Sequence, residues 1–228
     1  MIAYKLTRSR RKTIALYVCG GGVEVRAPLT VSKARIDEFV ASKENWIAAQ
    51  LEKQKALTEQ RAAFCLDYGS LVCYRGKDYP IVARPGNRAG FDEAALCFFL
   101  PPNLPAERVK LAVIQIYKLL AKRFLTERVA HFQKIMGVTV ANLKINSAKT
   151  RWGSMSANKN VNFSWRLILA PDEIIDLVVV HELAHIKQMN HSDKFWTQVE
   201  AILPDWRERQ KRLKELSRMI NAQNWEVK

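Results

Sequence analysis

The chain is 228 residues long, 48% hydrophobic and 26% charged, with a formal net charge of +15. That length buries a core as one large or two small domains, and the hydrophobic-to-charged balance is ordinary for a soluble globular protein. No apolar run approaches a membrane span; Ile174–Val180 is short and interrupted by Asp176.

Met1-Ile2-Ala3-Tyr4-Lys5-Leu6-Thr7-Arg8 runs into a basic stretch without the apolar centre of a signal peptide. Ile14–Val18 and Val23–Arg26 read as strands around Gly20-Gly21-Gly22. Ser32 can cap a helix whose stripe of Ile36, Phe39, Val40, Trp46, Ile47 and Leu51 carries it to about Thr58. Leu71–Arg75 and Tyr79–Ala83 predict a hairpin over Gly76-Lys77-Asp78, and Ala95–Leu100 a further strand. Cys19, Cys65, Cys73 and Cys97 show no C-x-x-C spacing and read as reduced thiols, which points to the cytoplasm. Pro101-Pro102-Asn103-Leu104-Pro105 is the strongest punctuation and a candidate domain boundary.

Beyond it, Ala106–Met136 reads as one long helix or two abutting ones, ended by Gly137. Val138–Ser147, Lys149–Ser156 and Val161–Leu169 predict strands, the last two separated by a turn at Ala157-Asn158-Lys159-Asn160. Pro171-Asp172-Glu173 then marks a helix start, with carboxylates at the positive end of the dipole. A last helix from about Asp205 places Leu213, Leu216 and Ile220 on one side. The expected class is α+β. Residues 1–104 form an N-terminal, mainly antiparallel β region with one helix, and residues 105–228 form a domain of helices packed on a small antiparallel sheet.

The helix begun at Pro171 carries His181-Glu182-Leu183-Ala184-His185, followed by His191. Histidines four apart share one helix face, so both imidazoles can reach one ion. Glu182 projects about 100° round from His181, where it can reach a water on that ion without ligating it. This is the H-E-x-x-H pattern of zinc peptidases. Ile174, Ile175, Leu177, Val178, Val179 and Val180 make the helix apolar nearly all round, so its imidazoles and carboxylate need partners. On an unbroken helix His191 would point about 120° away from His185. Asn190, which tolerates the left-handed conformation, is expected to end the helix and swing His191 back, with Ser192 capping the next helix. Three imidazoles leave a fourth position open, the arrangement of a catalytic zinc. Hydrogen-bonded core histidines or a purely structural zinc are the alternatives. His131 reads as a surface or packing residue.

Val179-Val180-His181-Glu182-Leu183-Ala184-His185, Asn190-His191-Ser192 and Phe195-Trp196 resemble the YgjP-like metallopeptidases. So do Arg151-Trp152-Gly153-Ser154 and Asn162-Phe163-Ser164-Trp165-Arg166-Leu167 upstream, and, more weakly, the N-terminal half. The family often has Cys where Met155 stands. The spacing is also similar to the Wss-type relatives of Spartan and SprT, proteases acting on proteins crosslinked to DNA. The resemblance implies a zincin-like domain with Zn2+ on His181, His185 and His191, Glu182 as general base, and a peptide or protein substrate.

Such folds often run an edge strand beside the cleft, where it pairs with an extended substrate. Arg151–Ser156 or its hairpin partner is expected to be that strand, which makes Arg151, Trp152 and Gly153 candidate substrate contacts; Trp152-Gly153 as a tight packing spot is the alternative. Arg166 is a candidate oxyanion donor, with a structural ion pair as its alternative. Asp176 and Asp193 are candidate partners of the ligands. Between Arg128 and Pro171 lie seven basic residues, Arg128, Lys134, Lys144, Lys149, Arg151, Lys159 and Arg166, and no acidic one. That surface can bind DNA or steer acidic substrates. Two rival functions therefore stand beside a general peptidase: a DNA-associated protease, and a non-catalytic zinc-stabilised nucleic-acid or protein binding module.

Overall fold

The computed structural model describes residues 2–226. By contact the chain separates into two compact units, Met1–Phe64 and Cys65–Lys228. The break therefore falls ahead of the proline-rich punctuation at Pro101–Pro105, which lies inside the second unit.

In the first unit, β1 (Lys5–Ser9), β2 (Ala15–Cys19) and β3 (Gly22–Pro28) form a sheet of order β1-β3-β2. Gly20 and Gly21, at φ +57° and +75°, supply the two left-handed residues of the tight β2–β3 turn. β1 pairs parallel to β3, so the sheet is mixed. Two helices follow, α1 (Lys33–Ala41) and α2 (Glu44–Ala63), where the periodicity predicts one. The Ser42 hydroxyl donates to the Phe39 carbonyl and Lys43 leaves helical geometry at ψ 11°, which breaks the helix without breaking its apolar stripe. Ile36, Val40 and Ile47 bury against Val23, Val25 and Ala27.

The second unit opens with β4 (Leu71–Tyr74), β5 (Lys77–Ala83), β6 (Gly90–Asp92) and β7 (Cys97–Leu100), in the order β4-β5-β7-β6. The β4–β5 turn is Arg75-Gly76, both left-handed at φ 51° and 75°, and not Gly76-Lys77-Asp78; Tyr74 pairs directly with Lys77. α3 (Ala106–Met136) is a single helix ended by Gly137 at φ 62°.

Next come β8 (Asn142–Asn146), β9 (Gly153–Met155) and β10 (Asn160–Ser164), in the order β8-β10-β9. β10 is parallel to β8 and antiparallel to β9, so this sheet too is mixed, within the expected α+β class. The strands are shorter than the apolar patterns suggest. Trp165–Leu169, read as strand, winds into a wholly buried 3-10 turn, with the Ser164 hydroxyl accepting from the Arg166 amide. α4 (Asp172–Ala184), α5 (Asp193–Ile202) and α6 (Trp206–Ala222) complete the unit. No described helix is long and apolar enough to cross a membrane.

The start of α4 is clamped. The amides of Arg75 and Gly76 donate to the carbonyls of Ile168 and Leu169 at 2.9 and 3.2 Å, and the Arg75 guanidinium forks onto Asp172. Arg128 of α3 forks onto Asp176 with both N–O distances at 2.7 Å, and Arg212 of α6 reaches Glu173 at 2.7 Å. A Cβ on Gly76 would lie 2.7 Å from the Pro171 ring and would also occupy a left-handed backbone. Gly76→Ala is therefore expected to lower the unfolding free energy by about 2–4 kcal/mol, from backbone strain plus overpacking. Urea unfolding followed by circular dichroism checks this, and an unchanged midpoint refutes the clamp.

Candidate metal centre

α4 is anchored by its own composition. Ile174, Ile175, Leu177, Val178, Val179, Val180, Leu183 and Ala184 are all buried. Each large aliphatic contributes roughly 1.5–3 kcal/mol, so the last turn sits on a firm base. His181 occupies that turn and His185 its C-cap, still in helical geometry at φ −62° and ψ −19°. The helix ends at Ala184, earlier than Asn190, and Ile186, Lys187 and Gln188 donate back to Leu183 and Ala184 in a tight turn. Asn190 is absent from the left-handed residues; its side-chain oxygen instead accepts from the Gln188 side chain and the Ser192 amide. The reversal that brings His191 back is thus a turn held by side-chain hydrogen bonds. Ser192 occupies the N-cap of α5 without a side-chain capping bond.

The reversal brings the three imidazoles together. The ligand atoms of His181, His185 and His191 all lie within 4.8 Å of one another, and Nε2 of His181 is 3.0 Å from Nε2 of His191. These spacings bracket the roughly 3.3 Å separating two nitrogens on a tetrahedral ion at 2.0–2.1 Å. Nδ1 of His185 lies 3.2 Å from the Gln188 carbonyl, which only accepts, so Nδ1 carries the proton and Nε2 is left as ligand. Burial, reinforced by the other two histidines, pulls His181 down to about 4, and burial also lowers His185. Both imidazoles are thereby held neutral, the form a metal requires. An all-imidazole donor set without thiolate fits a borderline divalent ion such as zinc. His131 is exposed on α3 and stands apart from this group.

The aromatic residues after the third histidine form the floor of the site. Phe195, fully buried, lies with its ring centroid 4.9, 4.6 and 4.8 Å from the rings of His181, His185 and His191. Trp196 approaches His181 and His191 and stacks on Trp206 at 4.1 Å. The sequence pattern puts Phe195 and Trp196 on an apolar helix face; that they restrain all three imidazoles is not legible there.

Glu182 is 6% exposed and sits against β9. A Cβ on Gly153 would lie 2.7 Å from both Cγ and Oε1 of Glu182, so only glycine permits the approach. Burial pushes the Glu182 carboxyl up to about 7, moderated by a hydrogen bond from the Met155 backbone. β9 is the free edge of its sheet. Trp152 and Ser156 direct their backbone groups at β10, so the alternating Gly153 and Met155 turn theirs outward.

A cavity of about 240 Å³ opens beside Glu182 and His181. Arg151, Trp152 and Gly153 border it, as do Leu177, Val178 and Trp196, and α6 closes it with Gln210 and Leu213. The Trp152 indole N–H donates to Ser217 of α6 at 3.0 Å. Nothing in the residue order points to this contribution from α6. Arg166 is not among the residues lining this cavity: it is 8% exposed, donates to the Ser147 carbonyl at 2.9 Å and lies over the Trp165 ring. Asp176 is engaged by Arg128 instead of a ligand.

No curated protein matches the chain. Two solved structures are similar over limited stretches. The metallopeptidase zymogen abylysin of Pyrococcus abyssi is 23% identical over 39% of this chain and 90% of its own, at a TM-score of 0.37. The metallopeptidase zymogen jannalysin of Methanocaldococcus jannaschii is 19% identical over 40% of this chain and 94% of its own, at a TM-score of 0.36. The model of the YgjP-like metallopeptidase domain matches residues 12–216, nearly the whole chain. The chain therefore belongs to the YgjP-like metallopeptidase family of metal-dependent peptide hydrolases.

Proposed function

We propose that His181, His185 and His191 hold a zinc ion, that Glu182 is the general base, and that the substrate lies extended along the open edge of β9. The observation that carries this reading is the position of Glu182: a buried carboxyl one residue from the first histidine, pressed against the edge strand and facing the cavity. Zinc supplies Lewis acidity at such a site, bringing the pKa of a water towards about 7. Glu182, its carboxyl raised by burial, would be placed to take a proton from a water there and return it to the leaving amine, a contribution of roughly 10²–10⁴ in rate. The outward-facing backbone groups of Gly153 and the Met155 carbonyl orient the peptide, the Met155 amide being held by Glu182, while Arg151 and Trp152 border its path. Arg166 is assigned to packing the β8–β9 connection.

The run from Arg128 to Pro171 without an acidic residue favours a second reading, in which the substrate protein is met on nucleic acid. In that case single-stranded DNA stimulates cleavage and the stimulation falls steeply with salt; cleavage indifferent to DNA removes this reading. The four free cysteines fit a reducing compartment, the cytoplasm.

Two substitutions separate chemistry from metal binding. Glu182→Gln is expected to keep bound metal, measured by atomic absorption, and lower kcat/KM by about 10²–10⁴. His191→Ala is expected to weaken metal affinity by more than about tenfold, since loss of an outer-shell partner already costs that much. Full activity in the Glu182→Gln variant would take Glu182 out of the mechanism. Gly153→Ala tests the contact with β9: the added methyl displaces Glu182, so activity drops more than about tenfold while metal affinity stays within about twofold. Unimpaired turnover by this variant shows that Glu182 does not depend on the glycine.

A further inference from the structure

We infer that the enzyme reads two adjacent substrate residues on opposite faces of β9, a large apolar side chain on the inner face and an acidic one on the outer. This rests on the reading of β9 as the substrate-pairing edge. Cross-strand partners share a face, so Gly153 faces inward with Phe163, which is fully buried, whereas Ser154 faces outward with Asn162. A peptide added to this edge continues the alternation and sends successive side chains to opposite faces.

Each face offers a recess, and the two recesses share Gly153 and Arg151. The inner one is the 240 Å³ cavity, walled by Trp152, Leu177, Val178, Trp196 and Leu213. Its volume is about eight times the ~30 Å³ share of a liquid water, room for a Leu, Met or Phe side chain. The outer recess, about 340 Å³, is lined by Asn146, Thr150, Ser154 and Asn162 together with Arg151, and by no carboxylate. Lys144 is exposed and stands in register with Asn162 on the same outer face. Hydroxyl and amide donors with one lining cation, a second on the same face and no acid suit a carboxylate side chain and disfavour a cationic one.

Blocked hexapeptides carrying an adjacent Phe-Glu, Phe-Lys, Ala-Glu or Ala-Lys pair, in both orders, test this against metal-loaded Glu182→Gln by calorimetry, which reads binding without turnover. Phe-Glu peptides should bind at least about tenfold tighter than Ala-Lys peptides. Arg151→Gln should erase the Glu-over-Lys preference alone, and Leu213→Lys the Phe-over-Ala preference alone. Equal affinities, or no binding, overturn the inference. The peptide series decides this even where Leu213→Lys fails to fold. Wild-type cleavage of the same peptides separates the two readings. Selective binding without metal-dependent cleavage removes the peptidase mechanism and leaves the two-sided recognition standing. Equal cleavage of all four pairs overturns the recognition and leaves the peptidase.

Discussion

The burial of one carboxyl group between a helix and the glycine edge of a three-stranded sheet is the constraint around which this site is built. Glu182 lies close enough to β9 that Gly153 cannot carry a side chain, and its one backbone partner is Met155 of the same strand. A charge so placed is costly, and the group responds by holding its proton more tightly than an exposed glutamate. The strand that would orient a substrate and the residue that would move its protons are therefore in mutual van der Waals contact. Any shift of the sheet relative to α4 would break that contact.

The rest of α4 is arranged so that this carboxyl stands alone. The helix carries four acidic residues, and three of them, Asp172, Glu173 and Asp176, are paired with Arg75, Arg212 and Arg128. Those arginines come from the β4–β5 turn, α6 and α3, so the ion pairs fasten the helix to three different elements. Among the described residues no cationic side chain acts on Glu182: burial raises its carboxyl and a backbone amide moderates the rise. At the C-terminal end His181 and His185 are kept neutral by burial and by the neighbouring imidazoles, and Phe195 lies against the rings of all three histidines. The helix thus pairs its charge at one end and keeps proton-free ligand nitrogens at the other.

Much of this is legible in residue order. Local rules decide where a helix starts and where it stops, so Pro171 before α4, Gly137 after α3 and Ser32 before α1 all announce their boundaries. The histidine pair is legible because the four-residue spacing is a property of the helix itself. Where two local rules compete, residue order misleads. Ser42 breaks a helix whose apolar stripe runs on into α2, Arg75 takes a left-handed position that its type does not announce, and Asn190 turns the chain with its side chain and not with its backbone.

Residue order alone is enough for the fold class, for the metal-binding residues as candidates and for the glutamate beside them, because each depends on spacings within one element. Packing in three dimensions was needed to show that Gly153 abuts Glu182, that α6 closes the cavity with Leu213 and that Phe195 lies under three imidazoles. It was needed again to place the Arg166 side chain against the β8–β9 connection and not at the cavity. Those facts join residues from separate elements, and a periodicity of 2.0 or 3.6 records which face a side chain occupies but not what lies across from it.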